Sequence, residues 1–212
     1  MRQVLQINTS IFDGPSSAGV STQLANELME KLVAQDDDLV VDRLDFSENP
    51  VPHLDGERLQ ALMTEESERT ARQCELISYS DDLIARLQRA DEVIIGVPMY
   101  NFSIPSMLKA WIDHVARAGV TFKYTENGAV GLLGDKKVYL MVTTGGKHEE
   151  GKTDHIRPLM KTILPFLGLD NYDIVIADGL NMGDEPRQEG IARAKEQIED
   201  IAAARAKSIR AA

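Results

Sequence analysis

The chain has 212 residues, with 34 acidic against 23 basic side chains, a net charge of −11 and 43% hydrophobic residues. Such a charge repels phosphate backbones and anionic lipids, so neither nucleic-acid binding nor polybasic membrane anchoring is expected. The length suits one domain over residues 1–212, burying roughly 70% of the surface its unfolded chain exposes. The apolar run Val93 to Met99 is too short to cross a bilayer, and the few apolar residues after Arg2 do not make a signal peptide. Cys74 stands alone and reads as a half-buried helix residue in a reducing compartment, so a cytoplasmic setting is expected.

In chain order, Val4 to Ile7 reads as a first strand, followed by the turn-rich stretch Asp13 to Gly19. Leu24, Leu28 and Leu32 recur every four residues and predict a helix to about Ala34. Leu39, Val40, Val41 and Leu44 form a second strand, ended by Asn49-Pro50-Val51-Pro52. The spacing of Leu76, Ile77, Leu83, Ile84 and Leu87 predicts one helix over Thr64 to Arg89. Val93 to Val97 is apolar throughout, as a central parallel strand buried on both faces should be. A helix follows from Pro105 to Ala116. Val120, Phe122 and Tyr124 then alternate with polar residues before the turn Glu126-Asn127-Gly128, a hairpin signal inside the crossover. Val138 to Val142 is the fourth strand, Ile156 to Leu167 a helix and Tyr172 to Ala177 the fifth strand. The last helix spans Pro186 to Ala206, with fraying expected from Ala202 onward.

Strands alternating with helices require right-handed crossovers and a parallel sheet covered on both faces. The expected fold is α/β: a three-layer, doubly wound, flavodoxin-like five-stranded parallel sheet of order 2-1-3-4-5, with the hairpin excursion after strand three. Ligands of such sheets sit at the carboxyl ends of the strands, where the winding reverses beside strand one. Three loops should converge there.

The first loop opens a helix and offers Ser10, Ser16, Ser17, Ser21 and Thr22, with no Lys or Arg from Gln3 to Glu30. Hydroxyls and free amides at a helix N-terminus bind anions, so a phosphate here would rest on neutral donors; the same residues also fit a helix cap and a surface turn. Neither a Walker lysine nor a G-x-G-x-x-G is present. The second loop, Pro98-Met99-Tyr100-Asn101-Phe102, offers flat apolar surface for a heteroaromatic ring, or a cap over the sheet end. In the third, Thr143-Thr144-Gly145-Gly146, two glycines can aim successive amides at negative charge, or simply turn the chain. Phosphate donors plus ring surfaces add up to a mononucleotide with a planar ring, and FMN fits best. His148 lies close to that ring position, whereas His53 and His114 read as structural. The scattered histidines and single cysteine make no metal site.

The run Pro98 to Phe102, then Leu108-Lys109 and Asp113, then Ala116 to Thr125, resembles the FMN-dependent NADH-azoreductase and NADH:quinone oxidoreductase family of bacteria. Gly131-Leu132, Gly145-Gly146 and Ala177-Asp178-Gly179 extend the resemblance over nearly the whole chain. It implies a homodimer with FMN at the subunit interface. It also implies ping-pong transfer of hydride from NADH (or NADPH) through FMN to quinones or azo compounds. Carried over, Ser10, Gly19, Val20 and Ser21 correspond to phosphate contacts, and Met99, Tyr100, Asn101 and Phe102 to ring contacts. Thr143, Thr144, Gly145 and Gly146 correspond to the opposite ring edge, and Tyr124, His148 and Phe166 to the acceptor side. No side chain is implied as catalytic, since FMN carries the chemistry. Two departures stand out. The first loop is longer than in many members, with Gly19 where a serine is usual and Ser16 or Ser17 placed to substitute. Thr144 stands where some members carry Arg. The readings from other classes are an electron carrier without its own substrate, which NADH would not reduce unaided, and a nucleotide-binding regulator, which would purify colourless.

Overall fold

The computed structural model describes residues 1–12, 18–134 and 136–211. The elements run β1 (Gln3–Asn8), α1 (Val20–Val33), β2 (Val40–Asp45), α2 (Gly56–Met63), α3 (Ala71–Arg89), β3 (Glu92–Pro98) and α4 (Ser106–Val115). They continue with β4 (Phe122–Thr125), β5 (Gly128–Gly131), β6 (Lys137–Thr143), α5 (Ile156–Phe166), β7 (Tyr172–Ala177) and α6 (Asp184–Ala211). A parallel sheet takes the order β2-β1-β3-β6-β7, which is the 2-1-3-4-5 expected of its five members. Separately, β4 pairs antiparallel with β5.

Alternation along each strand decides which helices cover which face. Leu5, Ile7, Val93, Ile95, Val138 and Leu140 point to one side and pack with Leu83, Leu87, Leu108, Trp111 and Met160 of α3, α4 and α5. Val4, Ile94, Tyr139, Met141 and Val175 point to the other and meet Leu24, Leu28, Ala194 and Ile198 of α1 and α6. Each fully buried Leu or Ile contributes roughly 1.5–3 kcal/mol of transfer free energy. The central strands are therefore buried from both sides, while the edge strand β2 is partly exposed, and the loops at the two ends of the sheet remain open.

Two boundaries and one burial differ from the sequence expectation. The expected helix over Thr64 to Arg89 is two helices. Asp55 caps α2 by accepting from the Arg58 amide, and α2 ends at Thr64. A single 3₁₀ turn at Glu66–Glu68 intervenes, and α3 starts at Thr70, whose capping box with Gln73 satisfies donors at both positions. Capping chemistry sets this break, within the wholly polar run Thr64 to Thr70. Secondly, Cys74 is exposed rather than half-buried, on the face of α3 turned away from Leu76, Ile77 and Leu83.

Thirdly, α6 does not fray at Ala202 but continues to Ala211. The reason is a buried ion pair. Arg205 donates from Nε and Nη2 to Glu92 at 2.6–3.0 Å, and Tyr139 Oη donates to the same carboxylate at 3.0 Å. Glu92 and Arg205 are 7% and 8% exposed. Burial, followed by the Glu92 charge, pushes the Tyr139 phenol far above its usual range, so it stays a protonated donor. Gln35 adds a bond to the Ala202 carbonyl at 2.9 Å. Removing one member of such a pair leaves a buried charge without compensation. Arg205→Ala should lower unfolding free energy by about 3–5 kcal/mol in urea titration, with Glu92→Leu/Arg205→Leu recovering much of the loss.

The loop before α2 is pinned by His114 of α4. Its Nε2 lies 2.9 Å from the Pro52 carbonyl, which can only accept, so that nitrogen carries the proton. The ring packs edge-on against Tyr79, and Ser80 donates to the His114 carbonyl at 2.5 Å. Burial, in first place, lowers the His114 pKa, and the nearby Arg58 charge acts in the same direction. A depressed value means the folded state takes up its proton later than the unfolded chain. The stabilising effect is thus complete above about pH 6.5 and is lost as pH falls through the folded value. The urea midpoint should decline from pH 7 to pH 5, and His114→Asn should flatten that slope.

Candidate functional site

The carboxyl ends of β1, β3, β6 and β7 open into a cleft of about 340 Å³. Its walls are Ser10 and Phe12 after β1, Ala18 to Val20 and Gln23 at the start of α1, and Pro98 to Tyr100 after β3. Thr143 to Gly145 after β6, and Leu180, Asn181 and Arg187 after β7, complete it. Larger hollows exist elsewhere. One of about 540 Å³ lies at the other end of the sheet beside Glu92, Tyr139 and Arg205. There the buried charges satisfy one another and leave little for a ligand to do. Another, of about 590 Å³, flanks the edge strand β2 beside Met29, Val33 and Val41.

Close backbone approach brings the first turn of α1 to the cleft. A Cβ on Gly96 of β3 would sit 3.3 Å from the Ser21 carbonyl oxygen, so a hydrogen at this position lets the helix start against the strand. Thr9 Oγ1 donates to the Gly96 carbonyl at 2.6 Å and fastens the end of β1 to the same point. Gly19 is the N-cap of α1 and gives no side-chain cap. A Cβ there would meet Ser10 Oγ at 2.5 Å and Ser21 Oγ at 3.9 Å, so both hydroxyls converge on Gly19. Val20, Ser21 and Thr22 precede the first intrahelical bond, from the Gln23 amide to the Gly19 carbonyl. Ser21 is 1% and Thr22 6% exposed, and neither hydroxyl has a partner among the described residues. Ser16 and Ser17, the other candidates on this loop, lie outside the described residues.

The loop after β3 is a two-residue reversal. Tyr100 and Ser103 exchange backbone bonds at 3.0 and 3.1 Å, and Asn101 and Phe102 between them have φ of 50° and 68°. Asn tolerates this left-handed region, but a bulky aromatic there is strained. Phe102 is also 55% exposed. Its ring meets His148 edge-on at 5.8 Å between centroids. Tyr100 Oη accepts from the Ile11 amide at 3.2 Å, tying the first loop to the second.

The loop after β6 is laced to the loop after β7. Thr144 donates its amide to the Ala177 carbonyl, and Leu180 and Asn181 donate to the Thr144 and Gly145 carbonyls, at 2.8–3.1 Å. The amides of Gly145 and Gly146 meet no protein acceptor among the described residues. Asn181 covers Gly145, and His148 covers Gly146. His148 is held from behind: Arg157 Nη2 donates to its carbonyl at 3.3 Å, and Arg157 is itself bonded to the buried Asp154. Burial pushes the Asp154 carboxyl up, but its bonds from Arg157 outweigh this and hold it below the usual range.

Of the expected residues, Ser10, Gly19, Val20, Met99, Tyr100, Thr143, Thr144 and Gly145 line the cleft. Ser21 lies behind Gly19, and Gly146 lies beneath His148. Asn101 and Phe102 form the tip of their loop. Tyr124 and Phe166 stand apart, grouped around Phe122 at 5.5 and 4.3 Å between centroids, with Tyr124 exposed. Sequence reasoning missed Phe12, Gln23, Leu180, Asn181 and Arg187. The last three follow the fifth sheet strand, and the rule that ligands sit at carboxyl ends of strands applies to that loop as to the others.

Residues 2–202 match the family model described as flavodoxin-like fold, and the chain belongs to that family. Within it, the chain is 46% identical to the FMN-dependent NADH:quinone oxidoreductase of Cellvibrio japonicus, over 96% of this chain and 100% of that one. It is 43% identical to the protein of the same name from Shewanella oneidensis, over 95% and 100% of the two chains. The solved structure of an FMN-dependent NADH-azoreductase from Bacillus anthracis in complex with FMN superimposes with a TM-score of 0.86. That pair is 26% identical, over 97% of this chain and 100% of that one.

The approach at Gly96 is testable without any ligand. Gly96→Val forces branched bulk into the Ser21 backbone, and overpacking of this kind costs about 1–3 kcal/mol. The urea midpoint should fall by that amount, with the amides of the first turn of α1 losing protection from hydrogen exchange.

Proposed function

We propose that this chain is an FMN-dependent NADH:quinone oxidoreductase that also reduces aromatic azo compounds, a single domain with one FMN cleft. The observation that carries the reading is the bare N-terminus of α1, whose Gly19 and Val20 line a cleft with Ser10, Met99, Tyr100 and Gly145, while the buried Ser21 hydroxyl behind them has no partner among the described residues. That combination fits an anion attached to a flat ring. The family and its relatives support the same reading.

The residues fit FMN. Ser10, Gly19, Val20 and Ser21 would hold the phosphate with hydroxyls, amides and the helix dipole. Met99, Tyr100, Asn101 and Phe102 would hold the ring. Thr143 and Thr144 fix the position of Gly145 and Gly146, whose amides would donate to the ring edge where negative charge gathers. Bound there, FMN would supply the chemistry, taking hydride from NADH and giving two electrons to the acceptor in a ping-pong sequence. NADH, a proton and a quinone thus yield NAD and a hydroquinone. The chain supplies position and exclusion of water and needs no nucleophile or general acid of its own. His148 and Phe102 would wall the acceptor side.

Homodimerisation belongs to the same reading. Ile11, Phe12, Phe102 and Tyr124 are exposed apolar residues on the loops and on β4. A second copy covering them would place Tyr124 and Phe166 against the partner's FMN. No helix among the described residues is long and apolar enough to cross a membrane. The acidic charge and lone cysteine support a cytoplasmic setting.

Anaerobic stopped-flow of the FMN-reconstituted protein, mixed with NADH and then benzoquinone, tests this. Bleaching of the flavin band by NADH, followed by full reoxidation by the quinone with no ternary complex required, is expected. Bound flavin that NADH cannot bleach would instead identify an electron carrier, and a protein that takes up no flavin would remove the reading.

A further inference from the structure

The first turn of α1 offers an anion only neutral donors, and no Lys or Arg occurs between Gln3 and Glu30. A cation nevertheless stands in the cleft. Arg187, in the first turn of α6, lines it together with Ala18, Gly19 and Gln23. We propose that Arg187 is a phosphate-binding residue of the cofactor site, supplying the positive charge that α1 lacks. This rests on the FMN reading above.

The register between the two helices carries the argument. Both follow parallel strands and descend the same face of the sheet side by side. Glu27 pairs with Lys195 at 2.9 Å, and one turn further Lys31 pairs with Glu199 at 2.5 Å. Both bridges join residues at the same offset along the two helices. Carried two turns towards the cleft, that offset sets Arg187 level with Gly19, the N-cap of α1.

The guanidinium has little else to hold. Nη1 donates to the Leu180 carbonyl at 3.2 Å, which steadies it against the loop after β7. Arg187 forms no ion pair among the described residues, although Arg193, one and a half turns on, pairs with Asp178. Ser10 lines the same cleft, and behind Gly19 lies the Ser21 hydroxyl, 1% exposed and without a partner among the described residues. A phosphate monoester held in this cleft between Arg187 and the start of α1 would meet the guanidinium, whose fork suits its geometry. The missing Cβ of Gly19 leaves room for the Ser10 hydroxyl, which a side chain there would meet at 2.5 Å.

The test is a binding titration of apoprotein, with FMN and with riboflavin, read by flavin fluorescence. Wild type should bind FMN more tightly than riboflavin, and salt should weaken FMN alone. Arg187→Ala and Arg187→Gln should each weaken FMN by about 10- to 100-fold, as loss of a charge-assisted bond does. Riboflavin should change by less than about twofold, and the salt dependence should shrink. Arg187→Gln retains a donor for Leu180, so agreement between the two variants excludes a loop effect. If both variants keep the full preference for FMN, Arg187 does not bind its phosphate and the proposal falls. Unchanged flavin binding with weaker binding of NADPH than of NADH would assign the cation to a dinucleotide phosphate, which also overturns it. Wild type that binds neither flavin would refute the FMN reading itself, a result distinct from either.

Discussion

The cleft depends on how near α1 begins to β3. At Gly96 the strand has no side chain on the face toward the helix, and the Ser21 backbone occupies the space one would need. This is also where the sheet reverses its winding, since β1 lies between β2 and β3 and the chain leaves in opposite directions on either side. A reversal by itself yields only a gap between loops. The close approach turns the gap into a site, because it brings a helix N-terminus with unmet donors to the edge of a pocket whose floor is rigid sheet. The fastening of β1 to the same point, through Thr9 and the Gly96 carbonyl, means that helix and strands hold one geometry.

The two ends of the sheet solve opposite problems. At the base, Glu92, Tyr139 and Arg205 are buried and fully engaged with one another, so polarity there serves to fix α6 on the sheet. At the top, the Ser21 and Thr22 hydroxyls and the Gly145 and Gly146 amides are left without partners among the described residues. Buried polar groups are normally satisfied, and exceptions gather where function requires them. The cleft at the top is the smaller of the two hollows, but its unmet groups give it the greater claim on a ligand.

The fold was legible because its signal is repeated. Continuous apolar runs such as Val93 to Val97 and heptad-like spacing in α1 and α3 say the same thing at several places, and the crossover rule then leaves few topologies. Boundaries set by one side chain were not legible. Thr70 and Gln73 close a capping box at the end of the polar run Thr64 to Thr70, and α6 outlasts its alanine-rich end because Arg205 reaches a glutamate 113 residues away in sequence. The site was legible where a loop carried a concentration of unusual residues, as Met99 to Phe102 and Thr143 to Gly146 do. Arg187 was not, since nothing local separates it from any arginine on an acidic helix. Its meaning comes from the register of two helices, which is a tertiary fact.

The reversal at Asn101 and Phe102 restricts how this surface can be altered. Both residues hold left-handed backbone angles that few side chains accept. Position 102 projects from the lip of the cleft and would be the natural choice for anyone seeking to change which acceptors enter. The backbone narrows that choice before any acceptor is considered. Asn, Asp, Gly and His can take the place of Phe with the turn intact, whereas valine, isoleucine and threonine would unmake it. Diversity introduced here by directed evolution would therefore be filtered twice, by the polypeptide's own geometry and only afterwards by catalysis.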